Sequence, residues 1–126
     1  MSRILVVDDD ESIRVLLREF LERDGHQVEE AVNGKQALLR YRQDPADLVI
    51  TDIFMPEQDG FELILEIQAS FPAVKIIAMS GGGCGMDASL GLRLTRFFGA
   101  VRQLEKPFTR ERLLEMVHLV LHGQAK

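Results

Sequence analysis

The chain has 126 residues, 46% of them hydrophobic and 28% charged, with 20 acidic residues against 15 Lys and Arg for a formal net charge of −5. A chain of this length fits one domain and buries roughly two thirds of its unfolded surface, so a core forms without cross-links, and the single cysteine, Cys84, excludes an internal disulfide. The acidic balance argues against direct nucleic-acid binding, which needs a basic footprint to displace counterions.

The N-terminus reads MSRILVVDDD, a short apolar run stopped by three aspartates. It is too short and too acidic for a signal peptide or a membrane span, so a cytoplasmic location and no membrane partner are expected. Ile4 to Val7 has the unbroken apolar character of a strand buried on both faces. Ile13, Leu16, Leu17, Phe20 and Leu21 then recur at the spacing of one helical face, ending near Gly25. His26 to Ala31 reads as a second strand. Asn33 is placed to cap a helix through about Arg42, with Ala37, Leu38 and Tyr41 inward.

Pro45 breaks that helix, and Asp47 to Thr51 forms a third apolar run. Asp59-Gly60 signals a turn before a third helix striped by Leu63, Ile64, Ile67 and Phe71 and closed by Pro72. Val74 to Met79 reads as a fourth strand, followed by the glycine-rich Gly81–Gly85. A weak helical pattern interrupted by Gly91 covers residues 87–98. Ala100 to Leu104 is the fifth strand. Thr109 caps a last helix with Leu113, Met116, Val117, Val120 and Leu121 inward, leaving residues 123–126 as a frayed tail. Such β-α alternation, without repeat or linker, predicts a mostly parallel sheet with helices on both faces.

In open α/β sheets, ligands sit at the carboxyl ends of the strands. The polar residues expected there are Asp8, Asp9 and Asp10 after strand one, Asp52 after strand three, Ser80 after strand four and Lys106 after strand five. If strands one and three are neighbours, Asp8, Asp9 and Asp52 face one another. Two carboxylates about 5 Å apart repel by roughly 3 kcal/mol at an effective dielectric of 20, so the group needs a cation or must take up protons. Oxygen donors without sulfur suit Mg²⁺. A carboxylate nucleophile, a metal, a mobile ammonium and a hydroxyl are the parts phosphoryl transfer requires.

The ordered set VVDDD, TDIFMP with Asp59-Gly60, a Ser closing strand four, and Glu105-Lys106-Pro107-Phe108 resembles the response-regulator receiver family of two-component signalling, over roughly residues 3 to 122. The resemblance implies a three-layer, flavodoxin-like (βα)5 fold with strand order 2-1-3-4-5, and one receiver domain over residues 1–122. It implies that Asp52 accepts a phosphoryl group from a histidine kinase or phosphotransfer protein in the presence of Mg²⁺ (or Mn²⁺). Asp9 corresponds to the direct metal ligand and Asp8 to one acting mainly through water. The Phe54 backbone carbonyl completes the protein's ligand set. Lys106, with a cis bond to Pro107, pairs with the phosphoryl oxygens, and Ser80 moves to hydrogen-bond them. Self-phosphorylation and self-dephosphorylation are expected, but no classical enzymatic turnover. Asp10 matches no site position and reads as a helix cap.

Two departures from the family pattern stand out. Gln103 occupies the place, three residues before Lys106, where receivers often carry Tyr or Phe. The stretch from Ser80 to Lys106 is longer than is common, and its clustered glycines predict a disordered or alternative loop state before phosphorylation. Phe54, apolar and two residues past Asp52, is placed to hinder an attacking water and prolong the phosphoryl lifetime.

Other readings remain open on sequence alone. Aspartates after a strand are commonly helix caps, and Lys-Pro is a common surface dipeptide. Asp8-x-Asp10-x-Ser12 resembles the start of haloacid-dehalogenase-like phosphatases, although the acids that should follow the lysine are missing. A receiver-like interaction module that no longer takes phosphate is another alternative. Asp8–Asp10 stand where a flavodoxin-type carrier would have to bind phosphate. Cys84 reads as incidental, and His26, His118 and His122 as solvated or half-buried. The residues after the last helix are too few for an output domain, so the expected partner is a downstream protein or a missing output domain. Homodimerisation, common in the family, is left undecided by these residues.

Overall fold

The computed structural model describes residues 2–52, 60–81 and 102–122. Strands β1 (Arg3–Val7), β2 (Gln27–Ala31), β3 (Leu48–Asp52), β4 (Ile76–Gly81) and β5 (Arg102–Lys106) form one sheet. Among the described residues, the helices are α1 (Glu11–Arg23), α2 (Gly34–Gln43), α3 (Gly60–Ser70) and α4 (Arg110–His122). The strand order is β2-β1-β3-β4-β5, all neighbours pairing in parallel, as expected.

Period-two alternation divides the strand side chains between two cores. Leu5, Val7, Val49, Ile76 and Ala78 point to one face, where Ala37 and Tyr41 of α2 and Leu63, Ile64 and Ile67 of α3 cover them. Ile4, Val6, Leu48, Ile50, Ile77, Met79 and Leu104 point to the other, under Leu17 and Leu21 of α1 and Leu113, Met116 and Val117 of α4. Three layers result, and β1 and β3, covered on both sides, are almost wholly apolar for that reason. Phe71 extends the first core by an edge contact with Tyr41, ring centroids 4.9 Å apart.

Each predicted cap is present. Asp10 Oδ1 accepts the Ser12 N–H at 2.9 Å, Asn33 Oδ1 the Gln36 N–H at 2.8 Å, and Thr109 Oγ1 the Arg112 N–H at 3.0 Å. Helix α1 closes at Gly25, whose φ of 92° suits a residue without a Cβ. The Gly25 N–H bonds Glu22 O at 3.0 Å and the His26 N–H bonds Leu21 O at 3.1 Å. His26 therefore still belongs to the helix end, and β2 begins one residue later than expected.

The last strands also differ from expectation. β4 runs from Ile76 to Gly81 rather than from Val74 to Met79, because the Val74 N–H bonds Phe71 O in the turn after α3. β5 ends at Lys106 rather than Leu104, since its pairing with β4 continues through Ser80–Glu105 and Gly81–Lys106. Asp52, Ser80 and Lys106 thus lie within the ends of their strands instead of beyond them. The expected helix over 87–98, residues 100 and 101 of the fifth strand, Asp59 of the predicted turn and the tail 123–126 lie outside the described residues. Among the described residues, no helix is long and apolar enough to cross a membrane.

Candidate functional site

β1 and β3 are adjacent, and their register pairs Val7 with Thr51. The residue after each, Asp8 and Asp52, therefore emerges at the same sheet edge. Both are buried, at 1% and 7% exposure. Asp9 is exposed beside them. One carboxylate oxygen from each of Asp8, Asp9 and Asp52 lies within 4.8 Å of the others, an arrangement that can hold a cation.

Two bonds fix the direction of the Asp8 carboxylate. Its Oδ1 accepts the Asp10 N–H at 2.9 Å, and its Oδ2 accepts from Lys106 Nζ at 3.0 Å. The Asp8 carbonyl accepts from Arg14 Nη1 at 2.8 Å, tying the turn to α1. Burial is the largest influence on Asp8 and raises its carboxyl above the ordinary range; the bonds from Asp10 and Lys106 offset only part of it. Lys106 also reaches Asp52 Oδ2 at 3.5 Å. Burial alone would depress its ammonium, but the two carboxylates outweigh that and hold it above the ordinary value.

Lys106 arrives there from β5, and its bond to Pro107 is cis. Ser80 stands in β4 one residue beyond Met79, the register partner of Asp52. Of the predicted site residues, the structure brings Asp8, Asp9, Asp52 and Lys106 together. Phe54 and the side chain of Ser80 lie outside the described residues. Asp10 turns away to cap α1, as its position in the sequence suggested. Gln103 lies in β5 opposite Ala78.

A family model of the response regulator receiver domain matches residues 4–118. The chain belongs to the response regulator receiver domain family. Receivers of this kind serve two-component signalling rather than classical enzymatic turnover. This receiver is 36% identical over 121 residues to the chemotaxis protein CheY of Bacillus subtilis, covering 95% of the chain and 98% of CheY. It is 41% identical over 105 residues to the response regulator GtcR of Aneurinibacillus migulanus, covering 83% of the chain but 41% of GtcR. The receiver spans about half the length of several transcriptional regulators that it also matches. Among solved structures, the receiver domain of NtrX from Brucella abortus superposes with a TM-score of 0.87 at 31% identity, over 96% of this chain and 99% of that one.

Histidines contribute nothing to this edge of the receiver. His26 and His118 instead share Asp24, with His118 Nε2 at 2.9 Å and His26 Nε2 at 3.2 Å from its Oδ2. No sequence signal marked that grouping, because α4 carries His118 to a residue 94 positions earlier.

Proposed function

We propose that this receiver accepts a phosphoryl group on Asp52 from the phosphohistidine of a histidine kinase or a phosphotransfer protein. The observation that carries the reading is the convergence of Asp8, Asp9 and Asp52 within 4.8 Å of one another, with the Lys106 ammonium 3.5 Å from Asp52. A carboxylate oxygen of Asp52 forms the new P–O bond as the donor's P–N bond breaks, and the departing imidazole takes a proton. Lys106, already drawn toward Asp52, pairs with the incoming phosphoryl oxygens. Ser80, near the end of β4, would supply a hydroxyl donor to the same group.

The donor set is all oxygen and carries excess negative charge, which suits Mg²⁺ or Mn²⁺ and disfavours softer ions. Asp9 and Asp52 would hold the ion directly, together with the Phe54 carbonyl. Both oxygens of Asp8 are engaged, by Asp10 N–H and Lys106, which favours a contribution through water. When bound, such an ion neutralises charge on the transferring phosphoryl group and on the acids. The phosphorylated state then acts on a downstream protein or an attached output domain through the Ser80 loop and the face near β5.

Intact-mass analysis after incubation with acetyl phosphate tests this. With Mg²⁺, the protein gains the mass of one phosphoryl group, stable to acid and labile to base. Without Mg²⁺ or in Asp52→Asn the gain is absent. Equal labelling of Asp52→Asn would contradict the assignment.

A further inference from the structure

The three residues Asp24, His26 and His118 come together at the end of the fold opposite the acidic edge, where α1 has run back across the sheet and β2 begins. Asp24 is the C-cap of α1, and the same helix-ending turn, closed by Gly25, fixes His26 two residues on. His118 projects from α4, held in place by its buried neighbours Met116 and Val117. The backbone therefore positions all three groups before any ligand arrives.

We propose that these residues form a second cation site, distinct from the acidic one, which takes Zn²⁺ or a similar borderline divalent metal through Asp24 Oδ2 and the Nε2 atoms of both histidines. The spacing is compatible with a metal's ligand shell. A tetrahedron with metal–nitrogen bonds of 2.0–2.1 Å has edges of about 3.3 Å. Asp24 Oδ2 lies 2.9 Å from His118 Nε2 and 3.2 Å from His26 Nε2, and one ligand atom from each residue lies within 4.8 Å of the others. Replacing the two Nε2 protons with one cation, each ring proton passing to Nδ1, thus needs only small side-chain movements.

Donor chemistry selects the ion. Imidazole nitrogens suit zinc, nickel and copper(II), whereas Mg²⁺ keeps to oxygen. The two clusters accordingly sort cations: Asp8, Asp9 and Asp52 offer only oxygen, and this one offers two nitrogens and an oxygen. Access is through His118 and Asp24, whose side chains are 56% and 27% exposed, the His26 side chain itself being 9% exposed. The fourth position falls to water or to His122, whose ring centroid lies 5.8 Å from that of His118 at the i,i+4 spacing used by helical zinc motifs.

Occupancy has a structural consequence. A metal on His26 Nε2 moves the ring proton to Nδ1, which now lies 3.4 Å from the Ser2 N–H. Two donors would then face each other, and Ser2 shifts away. The metal also ties the end of α1 and the start of β2 to α4, so its binding energy adds to the stability of the fold.

Calorimetric titration of Zn²⁺ into the full chain in saturating Mg²⁺ tests the site, with Asp52→Asn as a control for the acidic edge. We expect one equivalent bound in both proteins. In His118→Gln the affinity falls by more than the roughly tenfold to hundredfold typical of losing an outer-shell partner. In the unsubstituted protein, ¹⁵N NMR shows the ring nitrogens of His26 and His118 shifting together on Zn²⁺ addition. Undiminished binding by His118→Gln, displacement of Zn²⁺ by Mg²⁺, or unmoved ring signals would each overturn the proposal. It shares no ligand with the phosphoacceptor reading, so either can fail alone.

Discussion

The ammonium of Lys106 lies 3.0 Å from Oδ2 of Asp8, although 98 positions separate them in the chain. The contact closes the sheet edge, since Lys106 comes from β5 and Asp8 follows β1, three strands inward. The same Nζ reaches Asp52 at 3.5 Å. One cation therefore serves two buried acids, and its removal leaves like charges facing each other in a region of low dielectric.

Lys106→Ala is expected to cost about 1–3 kcal/mol in metal-free protein, below the figure for a fully buried pair because the lysine side chain is 21% exposed. Saturating Mg²⁺ should recover most of the loss, because a second cation takes over the neutralisation. Urea denaturation with and without Mg²⁺ checks this; an identical deficit in both conditions would contradict it.

Asp8→Asn should have the opposite effect. Burial raises the Asp8 carboxyl above its ordinary value of 3.8, so the folded state binds its proton more tightly than the unfolded state does. By linkage, the contribution of Asp8 to stability is greatest in acid and falls as pH rises from the unfolded value through the raised folded one. In EDTA at neutral pH the asparagine variant should melt a few degrees higher than wild type, and the gap should shrink in acid. Added Mg²⁺ should stabilise the wild type more than the variant. Calorimetric melting across pH provides the check, and a less stable variant in EDTA at neutral pH would refute it.

Glu30 behaves in the reverse sense. Burial tends to raise its carboxyl, but hydrogen bonds from Arg18 and Arg14 prevail and hold it below the ordinary 4.5. The bonds run from Arg14 Nε at 2.9 Å and Arg18 Nε at 2.8 Å to its two oxygens, pinning α1 to β2. A depressed carboxylate contributes stability above its unfolded value and loses it as pH falls through the lower folded one. Glu30→Gln should therefore cost about 1 kcal/mol near neutrality, with the difference vanishing below that value. Denaturation midpoints at neutral and acid pH test the sign.

The fold was largely legible because both-face burial writes itself plainly. Val49 and Ile50 of β3 pack into opposite cores, so the strand had to be apolar at successive positions up to its polar end at Thr51 and Asp52. β5 was harder to delimit, because it is an edge strand in which only Leu104 is buried. Its polar end hid the fact that Lys106 still pairs with Gly81. Within the DDD run, Asp10 was separable from its neighbours because it matches no site position in the family pattern, and the structure has its Oδ1 accept the Ser12 N–H at 2.9 Å. The Asp24 grouping was illegible for a different reason. Two of its members are two residues apart, but the third depends on how α4 packs beside α1, which periodicity does not specify.

Asp52, of all the acids at this edge, is expected to take the phosphoryl group. Reducing the labelled protein with borohydride converts an aspartyl phosphate to homoserine, and tandem mass spectrometry of the peptide containing TDIFMP then reads the position. Homoserine at position 52 alone is the expected result. Homoserine at position 8 or 9, or no conversion in protein that carries the added mass, would contradict it.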